Sequence, residues 1–167
     1  VLRLGGVGEE NVDDGVIQAS TKRFTWLLVN LGTAILASLV IGMFDATLEQ
    51  MVALAVLMPI VASMGGNAGT QTLTITVRAL AMKDLTKYNA FRTFRKELIV
   101  GFLNGCLFAC LAGLITLFWF SHLENAYLLG AIIAFAMIIN LVVAGVSGVT
   151  LPILLEKMKV DPAVASG

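Results

Sequence analysis

The chain has 167 residues, of which 58% are hydrophobic and 13% are charged, and its formal net charge at pH 7 is zero. Soluble globular domains are about half apolar and about a quarter charged, so this composition excludes an ordinary soluble domain and predicts an integral membrane protein. The neutral balance of charge argues against nucleic acid as a partner.

Residues 1–23 are polar, and we expect them to form a cytosolic segment rather than a signal peptide. Val12, Val16 and Ile17 recur at helical spacing, which predicts a short amphipathic helix. Four acidic residues lie near its start: Glu9, Glu10, Asp13 and Asp14. They form either a divalent-cation site or the solvated first turn of the helix.

Four apolar segments follow, and we predict that each crosses the membrane as a helix within a transmembrane domain of residues 24–167. They are residues 24–44, 51–80, 98–120 and 127–155. Asp161 and Pro162 suit the N-cap and first helical positions, so residues 161–167 are predicted to begin a further span. The predicted fold class is therefore all-α, a polytopic transmembrane helix bundle with four spans in this sequence.

The basic residues are segregated along the chain and predict its orientation in the membrane. All 11 Lys and Arg residues lie before the first span, near or within the connection between the second and third spans, or after the fourth. The other two connections contain Asp45, Glu49, His122 and Glu124 but no Lys or Arg. The positive-inside rule therefore places the N-terminus in the cytoplasm.

The second apolar segment contains an unusually polar stretch, MPIVASMGGNAGTQTLTI, at residues 58–75. Pro59 and the Gly65-Gly66 pair predict a break in the helix. Broken backbone at membrane depth must be buried in protein or line a water-filled path, as in channels and transporters. Six side chains bring oxygen atoms without charge: Asn67, Thr70, Gln71, Thr72, Thr74 and Thr76. Such donors suit a hard cation.

Two other interpretations of this stretch stay open. The spacing of Gly65 and Gly69 also allows two membrane helices to approach closely, with Thr or Asn forming hydrogen bonds across the interface. The N-terminus of a restarted half-helix is also a place where an anion can bind.

Other small and polar residues of the spans predict helix packing. Gly101 and Gly105 have the same spacing, and for them we favour close packing, as we do for Gly145 and Gly148. Three lone amides within apolar spans are predicted to form interhelical hydrogen bonds: Asn30, Asn104 and Asn140.

Three stretches, RFTWLLVNL, LMPIVASMGGNAGTQTLTITVRAL and DPAVAS, together resemble the membrane domain of the MgtE family of bacterial magnesium transporters. The resemblance implies a homodimer in the bacterial inner membrane with five spans per subunit. It implies a magnesium-selective pore along the dimer axis, lined by the second and fifth spans. It also implies cytosolic magnesium-sensing domains ahead of residue 1, joined by a connecting helix where residues 7–23 stand.

The resemblance further implies Mg²⁺ as the transported ion and as a ligand. Because Mg²⁺ dehydrates reluctantly, a pore can recognise the hydrated ion through outer oxygen atoms. We expect backbone carbonyls of Gly65, Gly66 and Gly69, together with the side chains of Asn67, Thr70 and Gln71, to do so in a broken second span. Asp161 matches an acidic position before the fifth span, and we expect a supporting role for it. The pore carboxylate of the family belongs to the fifth span, outside these residues.

Magnesium transport is therefore the predicted function. A secondary transporter of another small solute is one alternative, and a non-conducting membrane assembly module is another. The sequence shows no nucleophile–base pair and no phosphate-binding loop, so we do not expect an enzyme.

Overall fold

The computed structural model of the chain describes residues 15–86 and 88–159, and these residues form helices and turns without any strand. The helices in chain order are α1 (Val16–Gly42), α2 (Asp45–Gln50), α3 (Val52–Ala81), α4 (Ala90–Trp119) and α5 (Ala126–Lys157). The predicted all-α fold is confirmed. The last three helices are each long and apolar enough to cross a membrane, and α1 carries a shorter apolar stretch, Leu27–Gly42.

The structure differs from the prediction at the start of the chain and after the first span. Residues 16–23 belong to the same continuous helix as the first apolar segment, and residues 45–50 form the short helix α2 instead of a loop. The acidic residues at positions 9–14 and Asp161, with the predicted start of a further span, lie outside the described residues.

The predicted break in the second span is wrong. The 30-residue helix α3 runs without interruption through Pro59 and the Gly65-Gly66 pair. Pro59 removes the amide that would bond to the carbonyl of Ala55, four residues earlier, whereas a glycine keeps its amide and so does not by itself end a helix. Because the helix is continuous, the carbonyls of its glycine-rich segment are occupied by hydrogen bonds within the helix.

Helix α5 is the centre of the described bundle, and it packs against α3 on one side and α4 on the other. The contact with α3 includes Leu57, which is buried together with Leu129 and Ile133 of α5. The contact with α4 includes a second cluster of buried residues: Ala109, Met137 and Leu141. Both apolar clusters therefore draw on the same central helix.

Small residues bring the backbones of α4 and α5 close together. Five positions of α4 that are spaced four residues apart are buried: Glu97, Gly101, Gly105, Ala109 and Gly113. A Cβ atom on Gly101 would lie 2.8 Å from the Leu141 carbonyl oxygen, and one on Gly105 would lie 3.0 Å from the Ile138 Cα. The predicted packing role of Gly101 and Gly105 is confirmed, and it extends over a ridge of i, i+4 positions.

Replacing Gly101 with Ala should destabilise the bundle, because the new methyl group would overlap backbone atoms of α5 that cannot move independently. Overpacking of this kind costs about 1–3 kcal/mol. The measurement is the apparent melting temperature and the yield of monodisperse protein in mild detergent.

Gly66→Ala is the matched control, because a Cβ at Gly66 would have no neighbouring atom within 4 Å. Both changes gain the same helix propensity, so equal melting temperatures for the two variants would contradict the packing of α4 on α5 described above.

Candidate functional site

Helix α3 has a polar surface that no described helix covers. Its members recur at spacings of three and four residues, which places them on one strip of the helix. They are Gly66, Asn67, Thr70, Gln71 and Thr74, and all five are exposed. We call this strip the polar face. It lies in a helix that is long and apolar enough to span a membrane, where exposed polar side chains are rare.

The two threonine hydroxyls of the polar face are oriented by the helix itself. Thr70 Oγ1 donates to the Gly66 carbonyl at 2.9 Å, and Thr74 Oγ1 donates to the Thr70 carbonyl at 2.8 Å. Because each hydroxyl has only one proton, both oxygens present lone pairs to their surroundings. Thr74 was not among the predicted site residues, although its spacing of four from Thr70 is a signal that the sequence contains.

The opposite face of α3 packs on α5 and contains Gly65. Asn140 Nδ2 donates to the Val61 carbonyl at 2.5 Å, so its predicted interhelical hydrogen bond is confirmed. A Cβ atom on Gly65 would overlap the carboxamide of Asn140. Gly69 lies near this face, where a Cβ would make an ordinary contact of 3.8 Å with the Cβ of Ala144.

The predicted site residues therefore divide between two faces. Gly66, Asn67, Thr70 and Gln71 lie together on the polar face, whereas Gly65 is buried against α5. The expected contribution of glycine carbonyls is not supported by the geometry, because those carbonyls belong to a continuous helix. Asn30 and Asn104, both described, make no interhelical hydrogen bond corresponding to that of Asn140.

A second contact between α3 and its neighbours involves a residue that the sequence interpretation missed. Thr72 Oγ1 donates to Glu97 Oε2 of α4 at 3.0 Å, and both side chains are buried. Glu97 was assigned to the polar connection before the third span. Its spacing of four from Gly101, the first glycine of the α4 ridge, is the signal that predicts its burial.

Glycines of α5 lie beneath this pair. A Cβ on Gly148 would be 2.8 Å from the Cβ of Thr72, and one on Gly145 would be 3.1 Å from the Glu97 carbonyl oxygen. The predicted close packing at both glycines is confirmed. Beside them, a cleft of about 240 Å³ opens between α3 and α4, with Gln71 on its wall.

The polar face offers neutral oxygen atoms. Within residues 15–86 and 88–159, no three His, Cys, Asp or Glu side chains converge as a metal-binding group. The accessible oxygen atoms of the polar face belong to the amides of Asn67 and Gln71 and to the hydroxyls of Thr70 and Thr74. Neutral acceptors of this kind can bind a hydrated cation through its water molecules without replacing them.

Replacing Gly65 with Ala should lower the yield of folded protein, because the methyl group would displace the Asn140 carboxamide from the Val61 carbonyl. Adding Asn140→Ala should recover part of the lost stability, since the smaller side chain leaves room for the methyl group. Interhelical hydrogen bonds in membranes contribute about 0.6 kcal/mol on average, so the recovery should be incomplete. Thermal unfolding of both single variants and the double variant tests this coupling, and strictly additive effects would exclude it.

Comparison with known proteins agrees with this arrangement. Residues 58–167 match the family MgtE, described as a divalent cation transporter. The chain is similar to the magnesium transporter MgtE of Bacillus subtilis (strain 168), with 34% identity over 89% of this chain and 32% of that protein. It is also similar to the magnesium transporters MgtE of Enterococcus faecalis (33% identity, 98% of this chain, 35% of that protein) and Thermus thermophilus (33%, 99% and 36%). The chain thus spans about a third of the length of these relatives. Both the matched family and the extent of these similarities show that the chain belongs to the MgtE family of divalent cation transporters.

Proposed function

We propose that the protein containing this chain transports magnesium ions across the bacterial inner membrane, through a pore that the polar face of α3 helps to line. The observation that carries the proposal is the exposure of Asn67, Thr70 and Gln71 on a helix long and apolar enough to span the membrane. The similar proteins named as magnesium transporters support the choice of ion.

The cost of placing polar groups in hydrocarbon supports a watery surrounding for the polar face. Uncompensated polar groups in lipid cost several kcal/mol each, so polar membrane residues face a bundle interior or a water-filled cavity. The described helices leave the polar face uncovered. A pore at the axis of a homodimer provides such a cavity, and the family resemblance implies this arrangement, with the fifth span completing the lining.

The chemistry of the polar face suits a hydrated cation. Water molecules around Mg²⁺ direct their oxygen atoms to the ion and their hydrogens outward, so the surrounding wall must accept hydrogen bonds. Thr70 and Thr74 have already donated their protons to backbone carbonyls and retain lone pairs as acceptors. Asn67 and Gln71 add amide oxygens. Side-chain oxygens therefore replace the glycine carbonyls that we expected to perform this role.

The neighbouring glycines Gly65 and Gly66 have different roles in this proposal. Gly66 keeps the polar face free of bulk, since nothing lies within 4 Å of the position that its Cβ would occupy. Gly65 keeps α3 in place on α5 through its contact with Asn140. A hydrated ion is wide, so an open wall at Gly66 leaves room for the ion with its water molecules.

The exposed apolar surface of α1 is consistent with a membrane-embedded dimer. Leu36 and Leu39 are each 64% exposed, and α1 makes few contacts with the other described helices. Lipid or a second copy would cover this surface in the membrane. The dimer, the fifth span, the sensing domains and the supporting role of Asp161 are part of the proposal, because the chain spans about a third of its relatives.

Leucine substitutions on the polar face should reduce magnesium flux without preventing assembly. Asn67→Leu removes an amide worth about 1–3 kcal/mol when its partners are left unpaired, which corresponds to roughly a fivefold to hundredfold loss. Gly66→Leu places a branched side chain in the open wall. The measurement is Mg²⁺ uptake per assembled dimer, for the full-length protein in cells lacking other magnesium importers.

Asn30→Leu is the matched control, because it makes the same exchange in α1, away from the polar face. Its flux per dimer should equal that of the unmodified protein. If Asn67→Leu and Gly66→Leu instead lower the amount of dimer while the remaining dimers conduct normally, the polar face is an assembly surface and the pore proposal fails. Flux of another solute with no Mg²⁺ flux would favour the secondary transporter.

The segregation of basic residues supports a cytoplasmic location for the connection between α3 and α4. With Cys106 and Cys110 replaced by Ala, Tyr88→Cys should react with a membrane-impermeant thiol reagent only from the cytoplasmic side. Glu49→Cys and Glu124→Cys should react only from outside. Labelling of Tyr88→Cys in intact cells would reverse the proposed orientation.

A further inference from the structure

We propose that Glu97 is a positioning residue of the transport path: its hydrogen bond with Thr72 sets the rotation of α3 that presents the polar face. This inference rests on the proposed function, because it concerns how the same face is oriented. Thr72 is the residue directly after Gln71, so the group that anchors α3 is adjacent to a member of the polar face.

The geometry of the pair shows an anchored contact. Thr72 and Glu97 are only 7% and 8% exposed, and the hydroxyl donates to the carboxylate at 3.0 Å. Gly145 of α5 lies against the Glu97 carbonyl group, and Gly148 lies against the Cβ of Thr72. Three helices therefore meet at this hydrogen bond, and a side chain on either glycine would push the partners apart.

The bond is needed because α3 and α4 are otherwise poorly connected. Each of them packs extensively on α5, but they make few direct contacts with each other, and the cleft of about 240 Å³ lies between them. The apolar contacts with α5 are not directional, so they restrain the rotation of α3 less specifically than a hydrogen bond does. A directional hydrogen bond from the side of α3 restricts that rotation.

A second hydrogen bond holds α3 at the other end of the polar face. The Val61 carbonyl accepts from Asn140, and Val61 lies eleven residues before Thr72, or roughly 16 Å along a helix. The residues of the polar face between Gly66 and Gln71 lie between these two anchors. The rotation of α3 is thus restrained at two positions by different helices, α5 at Val61 and α4 at Thr72.

Glu97 has an ionisable side chain, so a positioning role has to be distinguished from direct attraction of the ion. Among the described residues, no basic side chain forms an ion pair with Glu97, so the Thr72 hydroxyl is its hydrogen-bond partner there. If the charge itself attracted the ion instead, a neutral residue that keeps the hydrogen bond would not replace Glu97.

The experiment compares Thr72→Val, Glu97→Leu and Glu97→Gln in the full-length protein reconstituted in liposomes. Thr72→Val and Glu97→Leu each remove the hydrogen bond. Each should lower the ratio of Mg²⁺ to Ca²⁺ flux by roughly threefold to fifteenfold, the factors that correspond to the free energies of hydrogen bonds between membrane helices. The double variant Thr72→Val with Glu97→Leu should lower the flux ratio no more than either single variant does, because both changes remove the same hydrogen bond. Glu97→Gln keeps an acceptor for Thr72 and should have a ratio closer to that of the unmodified protein than Glu97→Leu.

Thr116→Val is the matched control for Thr72→Val. Thr116 is 1% exposed, and its hydroxyl has no hydrogen-bond partner among the described residues, so the same exchange removes a buried hydroxyl without removing an anchor. Its flux ratio should be unchanged. If Glu97→Leu yields no folded protein, the isosteric Thr72→Val carries the test alone.

A readout independent of transport separates this inference from the proposed function. With Cys106 and Cys110 replaced by Ala, the reaction rate of Thr74→Cys with a polar thiol reagent reports the accessibility of the polar face. Thr72→Val should change that rate, and Thr116→Val should not. Unchanged rates and flux ratios in Thr72→Val, with flux still lost in Asn67→Leu, would overturn the positioning role and leave the transport proposal standing. If Thr72→Val altered the reaction rate but the unmodified protein carried no Mg²⁺, the positioning role would stand and the transport proposal would fail.

Discussion

The close approach of α3 and α4 to α5 is the constraint on which the rest of the structure depends. Lipid is as apolar as a leucine side chain, so helices in a membrane gain little from burying apolar surface and associate through close packing and interhelical hydrogen bonds. In this chain, Gly101, Gly105, Gly145 and Gly148 let neighbouring helices approach so closely that an added Cβ atom would crowd them. The hydrogen bond between Thr72 and Glu97 forms beside Gly145 and Gly148. The one between Asn140 and Val61 forms beside Gly65.

This packing gives α3 two chemically different faces. The face towards α5 is apolar or small and includes Leu57, Gly65 and Leu73, whereas the polar face carries amides and hydroxyls into the surroundings. Gly65 and Gly66 are neighbours in sequence but lie on different faces, about 100° apart around the helix axis. One permits packing and the other leaves the polar wall open. A single glycine pair thus contributes to stability and to the proposed path for the ion.

A continuous α3 changes the way in which a magnesium path can be lined. A broken helix would offer free carbonyls, whereas an unbroken one offers only its side chains, and here two of those side chains donate their protons back to the helix. Acceptors on a rigid helix are held at fixed positions, which is the requirement for recognising an ion by the arrangement of its water molecules. Selectivity would then depend on the rotation of α3, and hence on contacts outside the path.

The sequence by itself determined the membrane class, the approximate position of the apolar helices and the glycine contact at Gly101 and Gly105. These depend on composition, on run length and on local spacing, which the chain carries without reference to its fold. Only the tertiary structure decided that α3 is continuous, that Gly65 packs while Gly66 is open, and that Glu97 accepts a hydrogen bond from Thr72. Spacing predicts that a strip of residues shares a face, but the face that meets α5 depends on pairings between residues 25 to 79 positions apart, such as Thr72 with Glu97 and Val61 with Asn140. Such pairings depend on the free energy of the whole bundle, so no local sequence pattern predicts them.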